Sequence, residues 1–480
     1  MGKHHTSRHH SSRRSKNIGK LITVIQLMIS SALFVSLWET GMIPNKYMII
    51  IGIILLVLFG ITFGLQQFHR VSRYVGQVIS VILSIVFLVA VIYVQKADNM
   101  MQNIGGANYK TDNMIVVVKT NNSAENLLDA KNYRFGYQTA IDQKNNELML
   151  EDVQSIVGRE IKLVEYDSIQ EEAQALLDGR IEAAIYNEAF NGIIEESIED
   201  YTDQVRILYQ YGIDTELEQE ETNVEKPFHV YISGIDVSGP ITTNSRSDVN
   251  IIMTVNPQTK KILLTSTPRD YYVPLPGVSG EANDKLTHAG LYGVDVSMAT
   301  LENLYGIDIS YYARVNFTSL IEIVDALGGV DVESYYAFSA GGYDFVEGMN
   351  HLDGKQALAF SRERKSFVDG DNQRGRNQEA VLTAILKKAM SPAILTSADQ
   401  ILASVSDCVE TNMTREEMAK FINMQLTDPA TWEIEAVVAS GSGDTQACFS
   451  SGSQPLYVMW PDNAIVAGIS RKMKNVMDGN

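Results

Sequence analysis

Residues 249–270, VNIIMTVNPQTKKILLTSTPRD, read as two β-strands folded back on each other. Val249–Val255 and Ile262–Thr267 are rich in β-branched residues, and Asn256-Pro257-Gln258-Thr259 between them carries turn signals. If the hairpin is symmetric about that turn, Asn256 stands opposite Lys261 and, at the open end, Asp248 stands opposite Arg269. An earlier run, Phe228–Ile235, supplies another strand. Helical periodicity over Ser297–Leu304, Ser319–Ala326 and Gln378–Met390 surrounds these strands with helices, so an α/β/α layering around a central sheet is expected. A polar tail with a further helix at Arg415–Gln425 completes the chain.

Charge collects at the strand ends. Asp236 follows the first strand and Arg246 stands two residues before Asp248, so two carboxylates join Arg246 and Arg269 there. Such carboxylates beside a phosphate suit magnesium, a hard cation that takes oxygen ligands; ordinary Asp–Arg pairing accounts for the same residues. Further on, AFSRERKSFVDGDNQRGRNQ (359–378) packs Arg362, Arg364, Arg374 and Arg376 into fifteen residues. The guanidinium fork matches phosphate bidentately, but Glu363, Asp369 and Asp371 lie among the arginines, so a self-paired surface run is the other reading. On a strand, Arg362 and Arg364 leave the same face. Arg374 and Gln378, four apart, share a face at the start of a helix, with Asp371 a candidate N-cap. Opposite them Val381, Leu382, Ile385 and Leu386 form an apolar stripe, either core or a bed for a lipid tail. His288 and His351 could titrate near neutrality, but both sit in turn-rich blocks that suggest roles in the fold.

The net charge divides unevenly. Residues 1–96 carry ten Lys/Arg and one acid, and the other 384 residues carry 29 Lys/Arg and 57 acids. A portion that acidic excludes nucleic acid as a general partner. The basic front end holds three apolar runs of seventeen to nineteen residues, Leu21–Trp38, Tyr47–Leu65 and Val78–Val94, each about the length of a bilayer crossing. The tail (1–20) and the second loop carry most of the arginine and lysine, so both are expected in the cytoplasm and everything after the third span (21–95 in all) outside. Cys408 and Cys448, the two cysteines, could be bridged there or remain thiols.

A polar stalk is expected over 96–112. Strand and helix signals then alternate: strands at Ile115–Lys119, Tyr133–Tyr137, Ile161–Tyr166, Ile181–Tyr186 and Val205–Tyr209, helices at Asn145–Val157, Ile169–Leu177 and Phe190–Ile198. Residues 113–212 thus form a small α/β accessory domain. Its run VEYDSIQEEAQALLDGRIEAAIYNEA (164–189) resembles the lobes of bacterial solute-binding proteins, although a structural or partner-docking role is the plainer reading. Residues 213–227, with five glutamates and an aspartate, read as a linker.

ILLTSTPRD (262–270), DKLTHAGLYG (284–293), YYARVNFTSLIEIVDALGGVDV (311–332) and HLDGKQALAFSRERKSFVDGDNQRGRNQ (351–378) resemble successive signature blocks of the LytR-CpsA-Psr family. The resemblance covers residues 228–390, leaving 391–480 as a C-terminal extension expected to pack on that domain. It implies a mixed central sheet and a membrane-anchored phosphotransferase that moves a glycan, with capsular polysaccharide the expected cargo, from a polyprenyl-pyrophosphate carrier to peptidoglycan. It also implies magnesium, with manganese as an alternative, held by Asp236 and Asp248. Arg246, Arg269, Arg362, Arg364, Arg374 and Gln378 match the family's pyrophosphate grip, and Arg269 and Asp371 are the expected catalytic pair, the latter as base. The lipid tail would lie among Leu320, Ile321, Val324, Leu327, Val381, Leu382 and Ile385. Where the commonest family pattern reads Asp, two residues, Arg, two residues, Arg-Gln, this chain has Asp371, Arg374 and Asn377-Gln378, with Arg376 displaced by one. A pyrophosphatase acting on the lipid carrier, or a non-catalytic surface regulator of capsule synthesis, remains the alternative. The short cytoplasmic pieces leave no room for a DNA-binding domain, so regulation would pass through a partner such as the capsule synthesis and tyrosine-kinase machinery.

Overall fold

Three long helices open the chain, α1 (Thr6–Thr40), α2 (Asn45–Gln67) and α3 (Arg70–Ile104), and each is long and apolar enough to cross a membrane. The third runs through Val78–Val94 and on across most of the expected stalk, because no helix breaker intervenes before Gly105. The computed structural model describes residues 6–217, 222–235, 244–367, 370–389 and 409–480, with the backbone alone at 6–17, 70, 371 and 372. Contacts divide the chain into two compact units. In the first, Leu33, Leu55, Phe87 and Val91 form an apolar cluster among the three helices. Polar side chains are buried there too. Thr62 Oγ1 donates to Gln26 Oε1 at 2.8 Å, Ser80 Oγ donates to the same oxygen, and Thr23 Oγ1 donates to Gln66 Oε1 at 3.1 Å. Such bonds hold helices together where no water competes. A later helix, Arg415–Thr427, joins this unit: Arg415 Nε donates to Asp98 Oδ1 at 2.6 Å and Asn423 Nδ2 to the Gly41 carbonyl at 3.0 Å.

The second unit begins with a five-stranded lobe made of β1 (Tyr109–Lys119), β2 (Arg134–Gln138), α4 (Gln143–Val157), β3 (Lys162–Tyr166), α5 (Ile169–Leu177), β4 (Ala183–Asn187), α6 (Asn191–Glu195), α7 (Tyr201–Gln204) and β5 (Val205–Glu216). The strand order is β3-β2-β4-β1-β5. Alternation along β1 sends Ile115 and Val117 into one apolar cluster and Met114, Val116 and Val118 into the other, so helices cover both faces. Two sequence expectations change here. The helix expected over Phe190–Ile198 shrinks to α6 after a 3₁₀ turn, and β5 continues through Asp214–Glu216 by pairing with β1 as far back as Tyr109. The acidic stretch was read as linker from its charge, whereas its every-other-residue exposure belongs to a half-buried strand.

The rest of the unit comprises β6 (Phe228–Ile235), β7 (Ser247–Asn256), β8 (Lys261–Ser266), β9 (Tyr272–Pro274), β10 (Asn283–Lys285), α8 (Leu286–Tyr292), α9 (Val294–Tyr305), β11 (Tyr311–Asn316), α10 (Phe317–Ala326), β12 (Val330–Ser334), β13 (Phe338–Ala340), β14 (Tyr343–Phe345), β15 (Gly348–Leu352), α11 (Gly354–Arg362), α12 (Gly370–Ala389) and β16 (Val409–Thr411). After the 415–427 helix, α13, come β17 (Glu433–Val438), β18 (Gly441–Ala447), β19 (Pro455–Pro461) and α14 (Asn463–Met477). The central sheet is mixed, six strands in the order β16-β11-β6-β7-β8-β17, with β6 parallel to β11 and β8 parallel to β17. The expected hairpin register holds from Asn256↔Lys261 to Ile251↔Ser266. Residues 433–438 complete the sheet, so the tail supplies part of the core architecture. Tyr231, Ile252 and Leu263 pack one sheet face against Leu301 and Tyr305 of α9 and Val466 and Ile469 of α14. On the other face lie α10, α11 and α12, whose cluster joins Val324, Leu327, Phe360, Val381 and Ala384. Cys448 is buried and a free thiol, and Cys408 lies outside the described residues.

The crossing of α10 and α11 allows no side chain at Gly354, where a Cβ would come 2.3 Å from the Ile321 carbonyl oxygen. Gly354→Ala is expected to lower stability by about 1–3 kcal/mol through this overlap, read as a fall in the denaturant midpoint with an unchanged m-value.

Candidate functional site

Pairing places Ser247 opposite Ile235 and Asn316 beside Ile235, and Ser266 opposite Ile251. The end of β6, the start of β7, and the ends of β8 and β11 therefore meet at one end of the sheet. Arg269 Nη1 donates to Asp248 Oδ1 at 2.8 Å, and Thr287 Oγ1 donates to the same oxygen at 3.3 Å. The two ion-pair partners are mostly buried, with side chains 21% and 16% exposed. Beside them buried Asp270 accepts Lys285 Nζ at 2.9 Å and lies 3.8 Å from Arg269 Nε. Asp270, Lys285 and Thr287 lie within the blocks ILLTSTPRD and DKLTHAGLYG, but no spacing in the sequence marks them as partners of Arg269 and Asp248. Asp236 lies outside the described residues.

Arg362 is the last residue of α11, which corrects the strand spacing argument for Arg362 and Arg364. Asp353 and Gln356 form a capping box that starts this helix, and Ala357 and Phe360 bury its inner face. The Arg362 guanidinium stands 4.1 Å from the centroid of the Phe317 ring, at the start of α10, in a cation–π contact. Arg364 is exposed just beyond the helix. Arg374 and Gln378 are both half-buried on α12, and Asp371 is the second residue of that helix, inside it rather than capping it. Arg376 turns elsewhere: its Nε donates to Gln373 Oε1 at 2.8 Å, and it lines a separate cavity with Glu379 and Lys387. Asn377, at the position where the family's commonest pattern has arginine, is buried and gives Nδ2 to the Phe360 carbonyl at 3.1 Å, joining α12 to the end of α11.

An apolar cavity of about 150 Å³ lies between the sheet and α10–α12. Ile232, Val249, Leu320, Val381, Leu382 and Ile385 line it, and Arg362 and Gln378 share the lining. Val324 and Leu327 instead fill the core next to Val330, and Ile321 presents its backbone to Gly354. Arg246, just before β7, gives Nη1 to Glu196 Oε1 of the five-stranded lobe at 3.3 Å. The two histidines serve the fold: His288 is fully buried against Asp284 at 2.6 Å, and exposed His351 pairs with Asp331 at 2.7 Å. Among the described residues no group of three or more His, Cys, Asp or Glu side chains is arranged to hold a metal ion.

Glu379 was invisible to sequence reading because it falls on the polar-looking start of α12, yet it is 2% exposed. Its Oε1 accepts the Ser266 backbone N–H at 3.0 Å, which fastens the helix to the end of β8. Burial pushes its pKa up to about 9, against the opposing effects of that hydrogen bond and the Arg376 charge.

Residues 197–456 match the LytR_cpsA_psr family model, more than half of the chain, and the chain belongs to this family. It is 38% identical over 204 residues to the Enterococcus faecalis polyisoprenyl-teichoic acid–peptidoglycan teichoic acid transferase TagU, covering 42% of this chain and 67% of the relative. The Bacillus cereus protein of the same name is 38% identical over 200 residues, 42% of this chain and 65% of that one. This chain thus spans about two thirds of the length of these relatives. The crystal structure of B. subtilis TagU aligns with 52% of this chain and 97% of its own, at 31% identity and a TM-score of 0.42.

The Glu379 carboxyl is neutral in the fold and ionises near 4.5 when unfolded. Its contribution to stability is therefore full below pH 4.5 and is lost as pH rises toward 9. Glu379→Gln is expected to flatten that decline and to be the more stable protein at pH 8, as measured by denaturant unfolding across the pH range.

Proposed function

We propose that this chain is a membrane-anchored phosphotransferase that moves a glycopolymer from a polyprenyl-pyrophosphate carrier to peptidoglycan. The observation that carries the reading is an apolar cavity sharing Arg362 and Gln378 with a sheet end that bears the Asp248–Arg269 pair. A ligand with an anionic head and a hydrocarbon tail answers both halves of that arrangement. The relatives, named for moving teichoic acid from a polyisoprenyl carrier to peptidoglycan, support the same reaction class. Three apolar helices would keep the enzyme at the membrane that holds such a carrier, with the N-terminus in the cytoplasm and the remainder outside. The cargo is a wall polymer, teichoic acid as in the relatives or capsular polysaccharide.

In the proposed reaction an acceptor hydroxyl oxygen attacks the glycan-bearing phosphorus. A new P–O bond forms, the bond to the bridging oxygen breaks, and polyprenyl phosphate leaves with the electron pair. Arg246, Arg269, Arg362, Arg364, Arg374 and Gln378 would hold the two phosphates, with the arginines offsetting charge as it grows on the bridging and equatorial oxygens. Asp371 is the candidate to accept the hydroxyl proton. Asp248 fits a magnesium ligand, since its two hydrogen bonds among the described residues both fall on Oδ1, and with Asp236 it would hold an ion whose charge would further stabilise the phosphate oxygens.

The test is transfer of labelled glycan from a synthetic polyprenyl-pyrophosphate donor to peptidoglycan fragments by the full chain in detergent. Arg269→Ala and Arg362→Ala are each expected to reduce product at least about 100-fold with unchanged thermal unfolding. Release of phosphate-lipid without acceptor labelling would make the protein a hydrolase, and tight donor binding without turnover would make it a regulator; either overturns the proposal.

A further inference from the structure

The five-stranded lobe reaches Arg246, one of the arginines assigned to the phosphate grip. Its α6 ends at Glu195, and Glu196, the next residue, accepts Arg246 Nη1 at 3.3 Å with Oε1. The Arg246 guanidinium also packs against the same lobe at Gly192, where a Cβ would approach Cζ and Nε to 3.1 Å. Around this contact the two parts are firmly joined. Asn244 Nδ2, two residues before Arg246, donates to Asp112 Oδ1 at 2.9 Å, Lys110 pairs with Asp295 at 2.9 Å, and the Phe190 and Tyr292 rings meet edge to face at 5.5 Å. Leu291 of α8 is buried in the lobe's own apolar cluster. The lobe therefore holds a carboxylate in a fixed place against one arginine of the proposed phosphate grip.

That pair has two properties that suit a displaceable partner. Its geometry is weak: one oxygen at 3.3 Å, with side chains 26% and 22% exposed, in contrast to the 2.8 Å Arg269–Asp248 bond. Glu196 Oε2 is buried with no hydrogen-bond partner among the described residues, so among them the carboxylate is bonded through one oxygen alone. A diphosphate offers the guanidinium more charge and two acceptor oxygens in its own plane, and it repels the carboxylate it replaces.

We propose that Glu196 is a displaceable counter-anion supplied by the lobe, pairing with Arg246 in the free protein and yielding it to a diphosphate ligand. The proposal rests on the reading that Arg246 belongs to the phosphate site. Breaking the Glu196 contact costs any anion the same, and a diphosphate recovers that cost by giving Arg246 more charge and more acceptor oxygens than one carboxylate does. Glu196 does not touch the reacting atoms; it acts through Arg246 as a positioning residue.

The experiment measures binding of inorganic pyrophosphate and of inorganic phosphate to the full chain in detergent, by calorimetry. Glu196→Gln keeps the shape and removes the charge, and is expected to tighten pyrophosphate roughly threefold to tenfold and phosphate by no more than that. In an Arg246→Gln background the same substitution should have a markedly smaller effect on either affinity, a coupling that a merely structural role would not produce. Arg269→Ala separates the two readings. If the wild type binds pyrophosphate and Arg269→Ala does not, while Glu196→Gln leaves the affinity unchanged, the phosphate site stands and the counter-anion falls. Absence of pyrophosphate binding by the wild type overturns both.

Discussion

A slip of one residue between β7 and β8 would shift Asp248, near the start of β7, away from Arg269, three residues past the end of β8, so the proposed anion site depends on where this hairpin turns. Burial alone does not fix the point, because β7 and β8 are buried along most of their length on both faces. The turn fixes it. Asn256 Oδ1 accepts the backbone N–H groups of Gln258 at 3.0 Å and Thr259 at 3.1 Å, and Lys260 adopts φ 57°, a left-handed conformation that costs a non-glycine residue about 1 kcal/mol or more. Neighbouring contacts hold Lys260 in place: its Nζ stands 5.0 Å from the Trp432 ring centroid, and its carbonyl accepts the Glu433 N–H at 2.8 Å. The same loop thus sets the register of β8 on both sides, toward β7 and toward β17.

The helices are then fastened to that sheet end by buried polar side chains. Glu379 bonds the backbone of Ser266, and Asn377 bonds the carbonyl of Phe360. Each contact satisfies a backbone group that a helix or strand end would otherwise leave unpaired. Together they set α12 across β8 and against the end of α11, which brings Gln378 to the same cavity as Arg362. A carboxyl can serve here because burial keeps it neutral.

Much of this was legible in local pattern. The Asn-Pro-Gln-Thr turn gave the hairpin register, the uncharged runs gave three long apolar helices, and the arginine-rich segment marked the start of α12. The failures share a cause, which is that a spacing was read before the element type was known. Arg362 and Arg364 were given a strand's period although Asp353 and Gln356, three apart, already signalled the start of a helix. The charge of Asp214–Glu216 hid its alternation. Other features had no local signal. Nothing in Glu433–Val438 says that it pairs with β8, roughly 170 residues earlier, and nothing in Glu196 says that it meets an arginine 50 residues on.

The net charge of the residues after 96 is a poor guide to the field at the arginines. Surface acids more than about 8 Å away are screened at physiological ionic strength, so the excess of carboxylates after residue 96 matters little at the arginines. What matters is their immediate company, and there three cations each carry a carboxylate: Arg269 with Asp248, Lys285 with Asp270, and Arg246 with Glu196. An arriving anion must therefore either bring a cation to one of these carboxylates or displace one. Asp248 and Glu196 differ in the direction that this requires. The first is held at 2.8 Å by Arg269 and again by Thr287, which suits the proposed role of staying in place beside a cation; the second is held through one oxygen at 3.3 Å, which suits the proposed role of giving way.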